Sequence, residues 1–425
     1  MTLLIFVASL LGAMALGMPV AFALLVSSLV MMQFTGGIDP QTVALQMINA
    51  ADSFALLAIP FFLLAGEAMS AGGLSRRLVA FALALVGHRR GGLGYVAIIA
   101  AVLLSSLSGS AVADTAALAS VLMPMMRRAG YDTGRAAGLM ASGGIIGPVI
   151  PPSIAFIVFG VAGNVSITSL FLAGVAPGLF MGIALAITWS FVVRKEKVET
   201  LPRATWGETA VALRDGLLAL GLPVIIILGL KFGIFTPTEA GVVAAVYALV
   251  VGIFGYRELA ISAVPHVLVS AIRTTASVML LVAAASVSAY LIAIADIPAE
   301  MRALLAPFEG SRTTLLLAIM ALVLVAGTAL DLIPTILILT PVLMPIVRSA
   351  GIDPVYFGVL FVMNTSIGLI TPPVGTVLNV ASAVGRVPLG RVTVAVLPFL
   401  GSQVAVLFTL VLVPDLVTVP LRWLR

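Results

Sequence analysis

Two carboxylates occupy positions that a lipid-facing helix would not offer them. Asp114 closes a stretch holding Ser105, Ser106, Ser108, Gly109 and Ser110 and is followed by Thr115; Asp331 comes just after Gly327 and Thr328. Beyond each acid an otherwise oily run is interrupted, first by Gly143-Gly144, Gly147-Pro148 and Pro151-Pro152, then by Gly368 and Pro372-Pro373. Such breaks free backbone carbonyls, and at membrane depth they are tolerated only where protein or a water-filled cavity surrounds them. Carbonyls, hydroxyls and carboxylates together form an oxygen-only donor set, which suits a hard cation and no transition metal. The expected cation ligands, several through their carbonyls, are Ser105, Ser108, Gly147, Ile150 and Pro152 in the first stretch and Gly327, Thr328, Gly368 and Thr371 in the second. Asp114 and Asp331 would serve directly or by orienting those groups. A carboxylate at mid-membrane costs about 3 kcal/mol unpaired, so each needs a reason to be there; the plainer reason is that each caps the second limb of a helical hairpin. Ser153, Asn364, Thr365, Ser366 and Pro373, beside the breaks, are the expected solute contacts. Neither break contains Arg or Lys, so an anionic solute would be held by amide dipoles, hydroxyls and bound cations.

The elements that must position these groups belong to a membrane protein. Hydrophobic residues make up 61% of the 425 and charged residues 9%, with a mean hydropathy of +1.24, outside the range of soluble domains. The apolar runs are long and lack an alternating polar face, which predicts helices and not a barrel. At about 20 residues per span they suggest roughly eleven or twelve transmembrane helices plus two re-entrant hairpins. Residues 2–33 read as one helix kinked at Gly17-Met18-Pro19. Glu67 near a helix end reads as interfacial, and Thr236-Pro237-Thr238-Glu239 as a capping box with proline at the first helical position.

The chain is duplicated. VLMPMMRRAGYD from Val121 matches VLMPIVRSAGID from Val342 at eight of twelve positions, an offset of 342 − 121 = 221 residues. Carried forward, the offset places Gly147 on Gly368 and Pro151-Pro152 on Pro372-Pro373; carried backward with a slip of a few residues, Asp114 meets Asp331. The first half, 1–193, then holds a hairpin over about 91–127 and a broken helix over about 136–163. A polar, cytoplasmic linker fills 194–215. The second half, 216–425, repeats the hairpin at about 313–348 and the broken helix at about 355–385. Arg127, Arg128 and Arg135 follow the first hairpin and only Arg348 the second, so the positive-inside rule marks the first of these loops as cytoplasmic; if the two copies are inverted repeats, the first hairpin enters from the cytoplasm and the second from outside.

Several function classes drop out. With no cysteine and only His88 and His266, there is no thiolate or histidine metal site, and no HExxH or Gly-x-Ser-x-Gly marks an enzyme. The net charge of +5 sits in short loops and gives no reason to expect nucleic acid; the surrounding partner is lipid. No basic residue precedes Arg76, so the first helix reads as retained and not as a signal peptide.

The runs LAIPFFLLAGEAM, SLSGSAVADTAALASVLMPMM, GIIGPVIPPS, FTPTEAG, LTPVLMP and IGLITPPVGTVLNV resemble, in order, the large membrane (M) subunit of tripartite ATP-independent periplasmic (TRAP) transporters, nearest to the 2,3-diketogulonate and sugar-acid branch. The resemblance implies an inner-membrane secondary transporter of elevator type, with sodium as coupling ion and no cofactor, carrying C4-dicarboxylates, keto acids, sugar acids or sialic acid. It also implies a small four-helix Q membrane subunit and a periplasmic substrate-binding protein (P subunit). Nothing resembling the Q helices precedes Met1, so Q is expected as a separate chain. The alternative is a stand-alone sodium–dicarboxylate symporter that needs no binding protein.

Overall fold

The computed structural model describes residues 1–36, 39–195, 198 and 200–424. The described residues form helices joined by turns, without a strand among them. Glycine and proline set most boundaries. α1 (Thr2–Ala15) and α2 (Val20–Thr35) are separate helices and not the single kinked one expected. Gly17 adopts φ +84° between them, a left-handed turn that L-residues with a Cβ resist, and α2 folds back until Ser9 Oγ and Ser27 Oγ lie 2.9 Å apart. α3 (Pro40–Ala51) is capped by Asp39, whose Oδ1 accepts from the Gln41 amide at 2.9 Å. It fully buries no residue, and the Ser286 hydroxyl donates to its Gln46 carbonyl at 3.1 Å. α4 (Ala58–Ala71) and the amphipathic α5 (Leu74–Val86) meet at Gly72-Gly73.

The first duplicated unit follows as α6 (Gly92–Ser108), α7 (Ala111–Arg128), α8 (Thr133–Gly144) and α9 (Ile154–Gly163), closed by α10 (Ile167–Val192). α11 (Trp206–Lys231) starts inside the stretch read as a linker, because Thr205 and Glu208 form a capping box there. Residues 196, 197 and 199 of that stretch, and Arg425, lie outside the described residues. α12 (Pro237–Val250) starts at the second capping box, Thr236 with Glu239. α13 (Val264–Ile294) and α14 (Ile297–Leu305) lead to the second unit, α15 (Arg312–Gly327), α16 (Leu332–Ser349), α17 (Pro354–Gly368) and α18 (Thr376–Gly385), followed by α19 (Leu389–Leu412) and α20 (Asp415–Leu424).

Among the described residues, seven helical segments are long and apolar enough to cross a membrane on their own, Phe54–Ala71, Ile167–Val192, Trp206–Lys231, Pro237–Gly255, Ile261–Ile294, Leu332–Ser349 and Leu389–Leu412. Others are half-length because the chain turns or breaks within them, as α8 with α9 and α17 with α18 show. The two units share one interior. Phe159 of α9 packs on Phe357 and Phe361 of α17, with ring centroids 6.2 and 5.7 Å apart. In lipid such contacts stabilise by close packing, since the surrounding tails are as apolar as the side chains.

Candidate functional site

In the first unit α6 stops at Gly109, which takes a left-handed φ of +60°. Ser110 then caps α7 by accepting from the Ala113 amide at 3.4 Å. The turn so formed places Ser108 beside the first turn of α7, where its Oγ donates to Asp114 Oδ1 at 2.6 Å and accepts from the Ser110 amide at 3.1 Å. Asp114 is 2% exposed. Its other oxygen, Oδ2, is buried without a hydrogen-bond partner, as is Thr115 Oγ1.

The helix break is docked onto this tip. A Cβ at Gly147 would lie 2.4 Å from Asp114 Oδ2, one at Gly144 would lie 1.9 Å from Thr115 Oγ1, and one at Gly109 would lie 2.5 Å from the Pro152 carbonyl oxygen. Only glycine fits so close an approach, and the three glycines bring both orphaned oxygens against the break. Between α8 and α9 the carbonyls of Gly147, Ile150 and Pro152 accept no hydrogen bond from the described residues. Ser153 is occupied: its Oγ donates to the Pro148 carbonyl and accepts from the Phe156 amide at 3.3 Å, capping α9. Ser105 Oγ donates to its own helix, to the Ala101 carbonyl at 2.7 Å.

The second unit repeats the scaffold with different chemistry. Gly327, at the end of α15, meets Gly368, and a Cβ on Gly368 would lie 2.8 Å from the Gly327 carbonyl oxygen. Thr328 Oγ1 donates to Val325 O at 2.7 Å and Thr371 Oγ1 to Ile367 O at 2.9 Å. Asp331 caps α16, accepting from the Leu332 amide at 2.9 Å and from Thr376 Oγ1 at 3.4 Å, and it is exposed. Asn364, Thr365 and Ser366 are all buried. The Asn364 amide donates to Met320 O at 2.6 Å, leaving Oδ1 unpartnered. The Thr365 and Ser366 hydroxyls bond to α17 carbonyls. Pro373 lies apart from them, exposed. Both Pro-Pro bonds, 151–152 and 372–373, are cis.

These helix starts correct the alignment of the acids. α7 and α16 begin at Ala111 and Leu332, end at Arg128 and Ser349, and are followed by α8 and α17 from Thr133 and Pro354, every pair at the same offset of 221. No slip is needed. Asp331 is therefore the counterpart of Ser110, and both are helix caps. The counterpart of Asp114 is Thr335, fully buried, whose hydroxyl donates to the Asp331 carbonyl at 2.7 Å. Of the two acids, only Asp114 is deep.

A cavity of about 610 Å³ opens beside the first tip, lined among others by Glu67, Ser70, Ser108, Ser110, Asp114 and Thr274. Thr115 was read as part of the polar stretch but not among the expected ligands, and Thr274 escaped the sequence reading. Thr274 comes from α13, outside the duplicated unit, and no local pattern marks it. Groups of three or more His, Cys, Asp or Glu able to hold a metal are absent among the described residues.

Comparison with known proteins places these features in context. Residues 7–416 match the family model for the tripartite ATP-independent periplasmic transporter, DctM component. The 2,3-diketo-L-gulonate TRAP transporter large permease protein of Escherichia coli K12 is 52% identical over the full length of both chains. The sialic acid TRAP transporter large permease protein of Vibrio cholerae is 40% identical, with 95% of each chain covered. Among solved structures, the YdaH transporter of Alcanivorax borkumensis is similar with a TM-score of 0.65 at 18% identity, over 89% of this chain and 88% of that one, a likeness of fold.

Proposed function

The chain belongs to the DctM family, the large permease component of TRAP transporters, a multi-pass protein of the bacterial inner membrane and not an enzyme, and from that premise we propose that it carries a sugar acid or related organic acid inward on a sodium gradient. A periplasmic binding protein delivers the solute, and a separate small membrane subunit completes the permease. The hairpins and broken helices move together, elevator-fashion, against the remaining helices. A solute of the diketogulonate kind is the first to try, since the relative named for it is similar from end to end.

The observation that carries the coupling is the orphaned Asp114 Oδ2 against Gly147. A buried carboxylate oxygen without a partner is costly, and a small cation held between it and the free carbonyls of the break would offset that cost. Ser108 fixes the other carboxylate oxygen, so the charge points at the break. In the second copy a cation would be held by carbonyls and hydroxyls alone, around Gly327, Thr328, Gly368 and Thr371. A carboxylate solute between the two breaks would meet helix ends and bound cations.

The test is reconstitution into proteoliposomes with both partner subunits, measuring uptake of 2,3-diketo-L-gulonate. Uptake that needs an inward sodium gradient and the binding protein supports the reading. Uptake by this chain alone, or undiminished when potassium replaces sodium, overturns it.

A further inference from the structure

The duplication separates structural arginines from those with another use. Arg127 and Arg348 occupy the same place in the two copies, and each reaches across to the broken helix of the other copy: Arg127 Nη2 donates to Gly385 O at 2.8 Å and Arg348 Nη2 to Gly163 O at 2.8 Å. They tie down helix ends. The first-copy face carries two more cations with no such equivalent. Arg128 stands where the second copy has Ser349. Beyond the break the offset grows by one residue, to 376 − 154 = 222, so Arg386 caps α18 after Gly385 as Asn164 caps α9 after Gly163, and both residues are left-handed, at φ +51° and +50°. Asn tolerates that conformation; arginine gains nothing from it. Neither the Arg128 nor the Arg386 guanidinium has a hydrogen bond or ion pair among the described residues.

Both line one cavity of about 440 Å³, with Arg127 and Met123. Ser120 and Val384 line this cavity and also the one that holds Asp114, so the two spaces follow one another along α7. We infer that Arg128 and Arg386 form an anion-selective vestibule through which the carboxylate of the carried acid passes between the Asp114 cavity and the basic face. The inference rests on the proposed function for its solute. Two unpaired guanidiniums at the mouth of a low-dielectric cleft concentrate anions there. They also compensate for the absence of any basic residue in the breaks themselves.

This chain contains no cysteine, so with partner subunits whose own cysteines are replaced by serine a test is open that does not depend on the solute. Ser120→Cys in the complete transporter is treated with an anionic and a cationic methanethiosulfonate reagent of similar size. The anionic reagent should react faster relative to the cationic one, and the ratio should fall by about tenfold in Arg128→Gln/Arg386→Gln and recover in the Lys pair. An unchanged ratio overturns the vestibule. Counterflow of 2,3-diketo-L-gulonate then reads the path itself: the double Gln variant should raise KM from the basic face about tenfold while leaving KM from the opposite face unchanged. An equal KM from both faces, or the introduced thiol becoming reachable from the opposite face as it would if these arginines served only orientation, overturns the inference. Lack of counterflow by the wild-type transporter refutes the assigned solute, and the reagent ratio still decides the vestibule.

Discussion

The two copies share a frame and differ in charge. Both turn a hairpin, dock its tip on a glycine of the following break, and brace the broken helix of the other copy with an arginine. Yet the first copy buries a carboxylate at Asp114 where the second buries the hydroxyl of Thr335, and the first caps with Ser110 where the second caps with Asp331. Duplication thus preserved the backbone device and let the acid move one helical turn. At the cap it neutralises an amide and faces outward. One turn further in, it leaves an oxygen aimed at the break.

The widest gap between the copies should appear on neutralising the acids. Asp114→Asn keeps the shape and removes the charge, and sodium-driven uptake should fall by about a hundredfold or more, in line with the loss of one buried charge partner. Asp331→Asn should stay within about threefold, because Asn caps a helix as well as Asp does. Equal losses would erase the distinction. Next come the glycines. At Gly368 an added methyl meets backbone first, the Gly327 carbonyl oxygen at 2.8 Å and Cα at 2.9 Å, whereas at Gly147 it meets first a side-chain atom, Asp114 Oδ2 at 2.4 Å, with the backbone Gly144 carbonyl oxygen further off at 3.2 Å. Gly368→Ala should therefore cost about 1–3 kcal/mol of thermal stability in detergent, while Gly147→Ala should melt closer to wild type and lose its response to sodium. A smaller effect separates the caps: Asp331→Ala should cost about 1 kcal/mol by thermal melting, restored by Asn. Smallest and most nearly equal should be Arg127→Gln and Arg348→Gln, about 1 kcal/mol or less each for a partly exposed charged hydrogen bond. A large difference between them would deny the shared bracing role.

Much of this frame was legible. The match of Val121–Asp132 to Val342–Asp353 gives the offset at which the helices begin and end, because helix ends are written locally in Gly, Pro and capping residues. The Thr236 capping box was readable for the same reason. The register of the acids was not, because pairing acid with acid forced a slip that pairing caps would have avoided. Gly17-Met18-Pro19 allowed either a kink or a reversal, and the reversal is decided by Ser27 bonding back to the first helix at Phe6 O, a tertiary contact. The burial of Asn364, Thr365 and Ser366 likewise depends on α15 covering α17, which their polarity does not announce.

The central claim is that the charged cation site lies in the first copy, at Asp114. It is tested most directly by thermal unfolding of the purified protein in detergent, with sodium replaced by choline, for wild type, Asp114→Asn and Asp331→Asn. A ligand at a hundred times its Kd stabilises by about 2.7 kcal/mol, a readily measured shift. The account predicts that sodium raises the melting temperature of wild type and Asp331→Asn alike and that Asp114→Asn loses more than half of the rise. A full sodium shift in Asp114→Asn, or its loss in Asp331→Asn instead, would contradict it.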